Sequence, residues 1–205
     1  MMTDSVLSLL PSDFPDADDS AFLNTGVRRL VLAGGCFWCT EAVYRQLNGV
    51  LNVVSGYTGG TKDTANYDAV CSKNTDHAEV ISIEFDSALI GPATLLKVFF
   101  GIAHDPTQLN RQGNDLGRQY RSAVFYQDDA ERQLAADYIA QLEQNGVFRA
   151  PIVTTLEPLT VFYPAETYHQ NYAAANPNQP YIAAVAQPKV AKVQHFFKHQ
   201  LKKEL

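Results

Sequence analysis

The residues of this chain that could do chemistry are concentrated in the segment Gly-Gly-Cys-Phe-Trp-Cys-Thr-Glu at positions 34–41. The two glycines end a predicted strand and the Thr-Glu pair lies in the first turn of a predicted helix, so Cys36 is expected at the helix N-terminus. Peptide N–H groups and the helix dipole favour an anion there, which predicts a pKa for Cys36 below the ordinary thiol value of about 8.5. The position indicates a nucleophilic thiolate.

A second thiol follows one helical turn later. Side chains three residues apart in a helix are about 5–6 Å apart, so Cys36 and Cys39 could form a disulfide. The Cys-x-x-Cys spacing, in a chain without secretory features, favours a redox pair. Cys39 also shares a helical stripe with Ala42 and Val43, so packing in the core is the alternative. Cys71 has no comparable neighbour in the sequence and is interpreted as structural or incidental.

A candidate proton donor lies in the segment Ala-Glu-Val-Ile-Ser-Ile-Glu-Phe, whose period of two predicts a strand. Glu79 falls on the same side of this strand as its isoleucines. A carboxyl group on an apolar face is desolvated, which raises its pKa and suits it to donate a proton at neutral pH. The alternative is a residue at a strand end that leans into solvent.

Aromatic residues accompany these groups. Tyr67 and Tyr120 flank two polar segments and could donate hydrogen bonds, although tyrosine at a strand edge is often ordinary packing. Phe37 and Trp38, between the two cysteines, could form the wall of an apolar pocket or serve as buried anchors of the helix.

No metal or nucleotide chemistry is indicated. His195 and His199 have the spacing of a ligand pair on a helix, but no third ligand is near them in the sequence. The chain lacks the glycine-rich motifs of dinucleotide and triphosphate sites and the serine hydrolase elbow. Cysteine chemistry is what remains, and no cofactor is expected.

The elements that would hold these residues alternate along the chain. Predicted strands and helices in the first part follow the order β-α-β-β-α-β, the order of a ferredoxin-like split βαβ fold. We therefore expect an α+β, two-layer sandwich. Two long polar segments, 55–77 and 104–119, resist assignment, and irregular segments of this length are more often functional than idle. The predicted strands are at 28–34, 49–57, 78–86, 120–126 and within 152–163, and the predicted helices at 40–47, 92–103 and 128–146.

The two ends differ in composition from the middle. Residues 1–26 hold five aspartates and no Lys or Arg, which predicts a solvated, mobile arm. Residues 188–205 carry apolar side chains at helical spacing and clustered lysines, which predicts a basic terminal helix. A single catalytic domain is expected over residues 27–205.

Composition limits the partners. The chain has 205 residues and a net charge of −6, from 16 Lys+Arg against 22 Asp+Glu, so nucleic acid is not expected as a partner. Apolar runs are shorter than the ~20 residues of a membrane helix, and the acidic start is unlike a signal peptide. Three cysteines do not make a secreted disulfide framework. These features predict a cytoplasmic protein.

Several segments in order resemble one family. GCFWCTE, GYTGG, NYDAVCSKNTDHAEVISIEFD, HDPTQLNRQGNDLGRQYRSAVFY and FYPAETYHQNYAAANP are similar to segments of the A-type peptide methionine sulfoxide reductases, across roughly residues 27–180. The resemblance implies a two-layer α/β core with much irregular chain around it. It also implies reduction of the S epimer of methionine sulfoxide, free or in peptides and proteins, with a dithiol donor such as thioredoxin as reductant.

The resemblance also implies roles for individual residues. It makes Cys36 the nucleophile, which becomes a sulfenic acid, and it places Asp115 and Tyr172 near the site. It assigns Phe37 and Trp38 to the pocket for the sulfoxide methyl group, and Glu79, Tyr67 and Tyr120 to the surroundings of the sulfoxide oxygen.

This chain departs from the family pattern at its thiols. Many members have glycine at the position of Cys39 and carry resolving cysteines in a C-terminal tail, whereas this chain has no cysteine after Cys71. The sulfenic acid could be resolved by Cys39, by Cys71 or by an external thiol, and we predict Cys39. Two other functions are compatible with these residues: a general thiol-disulfide oxidoreductase using Cys36 and Cys39, and a non-catalytic module that binds peptides through Phe37 and Trp38.

Overall fold

The structure is a computed structural model that describes residues 10–203. The strands are β1 (Val27–Gly34), β2 (Val50–Thr58), β3 (Ala78–Asp86), β4 (Arg111–Gln112), β5 (Asp115–Leu116), β6 (Ser122–Tyr126), β7 (Thr155–Pro158) and β8 (Tyr163–Pro164). The α-helices are α1 (Phe37–Tyr44), α2 (Tyr67–Cys71), α3 (Pro92–Val98), α4 (Asp129–Gln144), α5 (Tyr172–Ala175) and α6 (Gln187–Phe196).

Six strands form one mixed sheet in the order β7-β6-β1-β3-β2-β8. All neighbours are antiparallel except β6 and β7, which are parallel. Strand β3 lies between β1 and β2, and it is buried on both faces along nearly its whole length. The protein is therefore an α+β fold with a central sheet, as expected.

The period of two along the strands separates two cores. Leu32 and Ile83 pack into the larger core with side chains of α1, α3 and α4. Val31, one position from Leu32, and Val80, three positions from Ile83, belong to a smaller cluster on the other face, covered by Leu159 and Phe162 after β7. Alternate residues of one strand point to opposite faces, so each strand contributes to both layers.

Residues 10–26 are packed against the domain, which corrects the expectation of a solvated arm for this described part. Phe14 and Phe22 are buried in the larger core. The Asp19 carboxylate accepts a hydrogen bond of 2.9 Å from the N–H of Ala93 in the first turn of α3. The acidic residues suggested exposure, but at least this one is used as a helix cap. Residues 1–9 lie outside the described part.

The C-terminal helix is shorter than the range 188–205 expected from the sequence. Helix α6 ends at Phe196, a 3₁₀ turn follows, and Leu201 forms a β-bridge with Leu47 after α1. Val193 is fully buried in the larger core. Pairing of the last described residues with the α1–β2 connection replaces the final helical turns.

The two polar segments that the sequence left unassigned contain short elements. The first holds α2, whose N-terminus is capped by the Asn66 side chain, and the second holds the β4–β5 hairpin. Within residues 10–203 no helix is long and apolar enough to cross a membrane.

Candidate active site

Cys36 lies directly before α1, at its N-cap position, where the sequence predicts it. Its carbonyl oxygen accepts from the N–H of Cys39 at 3.1 Å, which begins the helix. Gly35 has φ +82°, and a Cβ there would stand 2.6 Å from the Gln112 side chain of β4. Glycine is therefore required at this turn, both for its backbone angle and for the close packing of the hairpin.

Glu79 faces the same helix end. Its side chain is buried, and Oε2 accepts from the N–H of Phe37 at 3.0 Å. Burial raises the pKa of Glu79 to about 8 in spite of this hydrogen bond, and the negative charge of Asp115 acts in the same direction. The carboxyl group is therefore mostly protonated at neutral pH, as its place on the apolar face of β3 predicted.

A hydrogen bond between the two thiols shifts their pKa values in opposite directions. Burial raises the pKa of Cys36 well above the ordinary value, and neighbouring negative charge adds to this. The pKa of Cys39 is lowered to about 7, chiefly because it accepts the hydrogen bond from Cys36. The expectation that the helix N-terminus lowers the pKa of Cys36 is therefore wrong, because desolvation outweighs it. The pair as a whole still loses one proton near neutral pH.

A cavity of about 210 Å³ opens between these groups. Most of the predicted site residues meet there, although they come from four separate segments of the chain. Two larger cavities in the described part, each about 320 Å³, contain no cysteine. The lining residues of the smaller cavity are Cys36, Phe37, Trp38, Tyr67, Glu79, Asp115, Tyr120, Gln179 and Tyr181.

Trp38 forms an aromatic wall of this cavity and is held on two sides. Its ring stacks on Tyr172, with 4.0 Å between centroids and 13° between planes. Its Nε1–H donates to Nδ1 of the buried His169 at 3.0 Å. Burial lowers the pKa of His169, so the ring stays neutral and can accept at Nδ1. Tyr172 thus lies behind Trp38 rather than in the cavity lining.

The two predicted phenols, Tyr67 and Tyr120, both face the cavity. Burial raises the pKa of each, so both remain hydrogen-bond donors at neutral pH. The backbone N–H of Tyr67 donates to Glu166 at 2.9 Å, which fixes the start of α2. Cys71, at the other end of α2, shares a side-chain hydrogen bond with Tyr67 and does not line the cavity.

Cys39 is buried beside Cys36 and not in the larger core. The two cysteines form a separate cluster with Ile182 and Ala186, from the segment before α6. The apolar stripe of α1 is therefore shared between two environments. Its Val43 belongs to the larger core, whereas Cys39 belongs to the site.

The sequence analysis missed three residues that the site contains: His169, Gln179 and Tyr181. Tyr181 donates to Oδ2 of Asp115 at 2.5 Å. His169 has no other histidine or cysteine near it in the sequence, but it lies in the His-Gln-Asn-Tyr segment that carries Tyr172, and that segment is the signal that points to it. Tyr181 lies four residues after Pro177, the end of the last segment that carries the family resemblance.

No group of three or more His, Cys, Asp or Glu side chains among residues 10–203 is placed to hold a metal ion. The chemistry available in the cavity is that of a thiol pair, a protonated carboxyl group and phenols, between aromatic walls. A mixed α+β fold with such a site defines a cysteine-based enzyme.

Comparisons with known proteins agree with this class. The family described as peptide methionine sulfoxide reductase matches residues 28–201. The "Peptide methionine sulfoxide reductase MsrA" of Chromobacterium violaceum is 53% identical over 175 residues, which cover 85% of this chain and 99% of that protein. The "Peptide methionine sulfoxide reductase MsrA 2" of Synechocystis sp. is 43% identical over 194 residues, covering 95% of this chain and 91% of that protein.

Solved structures are similar as well. The crystal structure of reduced Mxr1 from Saccharomyces cerevisiae superposes with a TM-score of 0.69 at 34% identity, covering 77% of this chain and 90% of that one. Methionine sulfoxide reductase A of Corynebacterium diphtheriae gives a TM-score of 0.63 at 28% identity, covering 82% and 85% of the two chains.

The chain belongs to the peptide methionine sulfoxide reductase family. It is an oxidoreductase that reduces methionine sulfoxide, and the family prediction made from the sequence is confirmed. The match extends to residue 201, so the C-terminal helix, which the sequence analysis left outside the resemblance, lies within the family region.

Proposed function

We propose that Cys36 reduces the S epimer of methionine sulfoxide, free or in peptides and proteins, with Glu79 as the proton donor. The observation that carries this proposal is the buried Glu79 carboxyl group, with a pKa of about 8, in the cavity that Cys36 lines. Sulfoxide oxygen is a poor leaving group until it is protonated, and a carboxylic acid that stays protonated at neutral pH supplies that proton.

The first step begins with one thiolate in the cysteine pair. When Cys39 holds the shared proton, Cys36 carries the negative charge and attacks the sulfoxide sulfur while Glu79 gives its proton to the oxygen. A sulfur–sulfur bond forms transiently, and the Cys36 sulfur takes the hydroxyl group as methionine leaves. The products are methionine, Cys36 sulfenic acid, the Glu79 carboxylate and Cys39 thiol.

The substrate would lie between the aromatic walls and the phenols. Phe37 and Trp38 bind the sulfoxide methyl group in this proposal, and Tyr172 supports Trp38 from behind. Tyr67 and Tyr120 donate hydrogen bonds to the oxygen. Asp115, held by its hydrogen bond from Tyr181, contributes a polar group to the cavity lining.

Cys39 is the proposed resolving thiol. It attacks the Cys36 sulfenic acid, water leaves, and a Cys36–Cys39 disulfide remains, which thioredoxin or another dithiol reduces by exchange. The shared cluster of the two cysteines supports this order, since no segment needs to move to bring them together. Cys71 hydrogen-bonds to Tyr67 on α2 and would have to leave that contact first.

A general thiol-disulfide oxidoreductase is the alternative function, and burial disfavours it. Such an enzyme exchanges disulfides of other proteins through an accessible thiol. Cys36 is 9% exposed and Cys39 is 1% exposed. A cavity of about 210 Å³ admits a small side chain more readily than a protein disulfide.

We also propose that residues 27–205, with the packed segment 10–26, form one catalytic domain with a ferredoxin-like split βαβ core. The strand order β6-β1-β3-β2 and the order β1-α1-β2-β3-α3-β6 along the chain support this topology.

A cytoplasmic location is proposed because the activity needs Cys36 and Cys39 reduced, and all three cysteines of the chain are free thiols.

The proposal is tested by turnover of peptides that carry either the S or the R sulfoxide, with dithiothreitol as reductant. The parent is expected to reduce the S peptide only. Cys36→Ser is expected to abolish reduction, since a serine hydroxyl neither ionises at neutral pH nor accepts the oxygen. Cys71→Ser is the matched control and should keep activity within a factor of about 3. Turnover by Cys36→Ser, or equal turnover of both epimers, contradicts the proposal.

A further inference from the structure

Three side chains form an oriented chain of hydrogen bonds along one side of the cavity. The Cys39 thiol donates to the hydroxyl of Tyr181, with 3.8 Å between Sγ and the oxygen. The Tyr181 hydroxyl donates in turn to Oδ2 of Asp115 at 2.5 Å. Both donated protons in this series of hydrogen bonds therefore point toward the Asp115 carboxylate.

This series of hydrogen bonds ends in the cavity, where the oxygen of the Cys36 sulfenic acid must leave. Asp115 and Tyr181 both line the cavity, as does Cys36. Cys39 lies in the buried cluster behind it and is almost fully shielded from solvent. Water does not have free access to the Cys39 thiol, so its proton has to leave through protein groups.

Tyr181 can transfer a proton from Cys39 to Asp115 without a net change in its own protonation. Burial raises the pKa of its phenol, so it stays protonated in the resting site. It can accept the Cys39 proton on its oxygen only while it gives its own to Asp115. Lys189, whose Nζ donates to the carbonyl of Ala103 at 2.7 Å, adds positive charge near Cys39 that favours its thiolate.

We propose that Asp115 is the general base of the resolving step and that it deprotonates Cys39 through the hydroxyl of Tyr181. This assignment rests on the proposed role of Cys39 as the resolving thiol. It gives the second step its own proton acceptor, separate from Glu79, which serves the first step.

The resolving step transfers two protons and forms one disulfide. The Cys39 proton moves to Tyr181 oxygen and the Tyr181 proton moves to the Asp115 carboxylate, which leaves a Cys39 thiolate. The thiolate attacks the Cys36 sulfur, the S–S bond forms and the S–O bond breaks. The departing hydroxide takes the proton from Asp115 and leaves as water. Asp115 and Tyr181 return to their starting states, and the two cysteines have been oxidised by the oxygen of the sulfoxide.

The test follows both steps in one experiment. One equivalent of the S-sulfoxide peptide is mixed with reduced protein, and samples quenched over time are analysed for methionine formed and for free thiols lost. Tyr181→Phe keeps the ring but removes the relay, and Asp115→Asn keeps the shape but removes the base. Tyr126→Phe, at the far end of β6, is the control for loss of a phenol hydroxyl.

We expect the interval between methionine release and disulfide closure to lengthen about 100-fold in Tyr181→Phe and in Asp115→Asn, as for a lost general base. The control should keep the parent interval.

Asp115→Asn separates this role from a simple charge effect. The negative charge of Asp115 raises the pKa of Cys39, so removing this charge should increase the population of Cys39 thiolate. That population is measured by ultraviolet absorbance in protein that lacks Cys36 and Cys71. On charge alone closure would become faster, whereas the relay predicts slower closure.

Closure at the parent rate or faster in Asp115→Asn, or an unchanged interval in Tyr181→Phe, overturns the relay. If the parent nevertheless forms the Cys36–Cys39 disulfide, the proposed resolving role of Cys39 stands without it. A Cys36–Cys71 disulfide in the parent overturns the resolving role of Cys39 itself, and the relay with it.

Discussion

Two ionisations in the site lie close together on the pH scale. The cysteine pair loses a proton near the pKa of about 7 that Cys39 shows, and Glu79 loses its proton near a pKa of about 8. The proposed first step needs the pair ionised and Glu79 protonated. Because the cysteine pair and Glu79 interact, the pH dependence of the rate shows two apparent pKa values that belong to the coupled groups together.

We expect the methionine-forming step to rise with pH near 7 and to fall near 8, because Glu79 then becomes a carboxylate. Glu79→Gln should slow this step by about 100- to 10,000-fold and remove the falling limb, since the amide cannot give a proton. Glu84→Gln, at the exposed position of the same strand, is the control.

Single-turnover rates across pH, with methionine as the product measured, check this prediction. A Glu79→Gln rate within a factor of a few of the parent would show that another group is the donor.

At the residue scale the sequence located most of the site. Alternation along β3 predicted a desolvated Glu79, and the glycine pair predicted Cys36 at a helix start. The acidity of Cys36 could not be predicted, because it depends on burial and on the Cys39 hydrogen bond more than on the helix end. Part of this burial comes from the segment before α6, whose Ile182 and Ala186 pack against the thiols from another part of the chain.

At the scale of elements, Glu41 connects α1 to the segment that holds Tyr172. Its buried carboxylate accepts from the backbone N–H of Asn171 at 2.9 and 3.0 Å and from the Arg45 guanidinium at 2.9 and 3.0 Å. Asn171 has φ +54°, the left-handed conformation that asparagine tolerates. The next residue, Tyr172, stacks on Trp38.

Glu41→Gln is expected to lower the free energy of unfolding by about 1–3 kcal/mol, because the amide cannot accept from all of these donors and leaves some unpaired. It should also loosen the Tyr172 stack and raise the KM for the sulfoxide peptide severalfold. Urea unfolding and the emission of Trp38, the single tryptophan of the chain, measure both effects.

Glu143→Gln, on the exposed end of α4, is the control and should leave stability within about 0.5 kcal/mol. A Glu41→Gln protein with parental stability and parental Trp38 emission would show that Glu41 does not position this segment.

Most strands and helices were predictable from period and capping, including α3 after Gly91 and the end of α4 before Gly146. The contacts of His169 and Tyr181 were not. The hydrogen bond between Trp38 and His169 joins residues 131 positions apart. Hydrophobic periodicity and capping residues do not show which distant loops come into contact. The aromatic wall of the cavity depends on such a contact, between α1 and the segment around His169.

At the scale of the whole molecule, the acidic N-terminal segment contributes to the core. Its aspartates suggested exposure, but Asp16 pairs with Lys97 and Asp19 caps α3. Phe14 and Phe22 of the same segment are buried in the larger core. Composition predicted the charge of this segment correctly and its packing incorrectly, because acidic residues with partners on the domain do not require a solvated chain.

Phe14→Ala is expected to destabilise the protein by about 3–5 kcal/mol, since a fully buried aromatic ring is removed and a cavity is left. Leu23→Ala, at a site that is 41% exposed in the same segment, should cost much less. Urea unfolding of both variants checks the comparison. Equal stability of Phe14→Ala and the parent would show that residues 10–26 are not part of the folded core.

The central claim is that sulfoxide reduction by this chain passes through the buried pair of Cys36 and Cys39. The most direct measurement is to oxidise the fully reduced protein with one equivalent of an S-sulfoxide peptide and to map the thiols by mass spectrometry. The account predicts one methionine and one Cys36–Cys39 disulfide per chain, with Cys71 free. A Cys36–Cys71 disulfide, or a Cys39→Ser variant that turns over at the parental rate with thioredoxin as sole reductant, would contradict it.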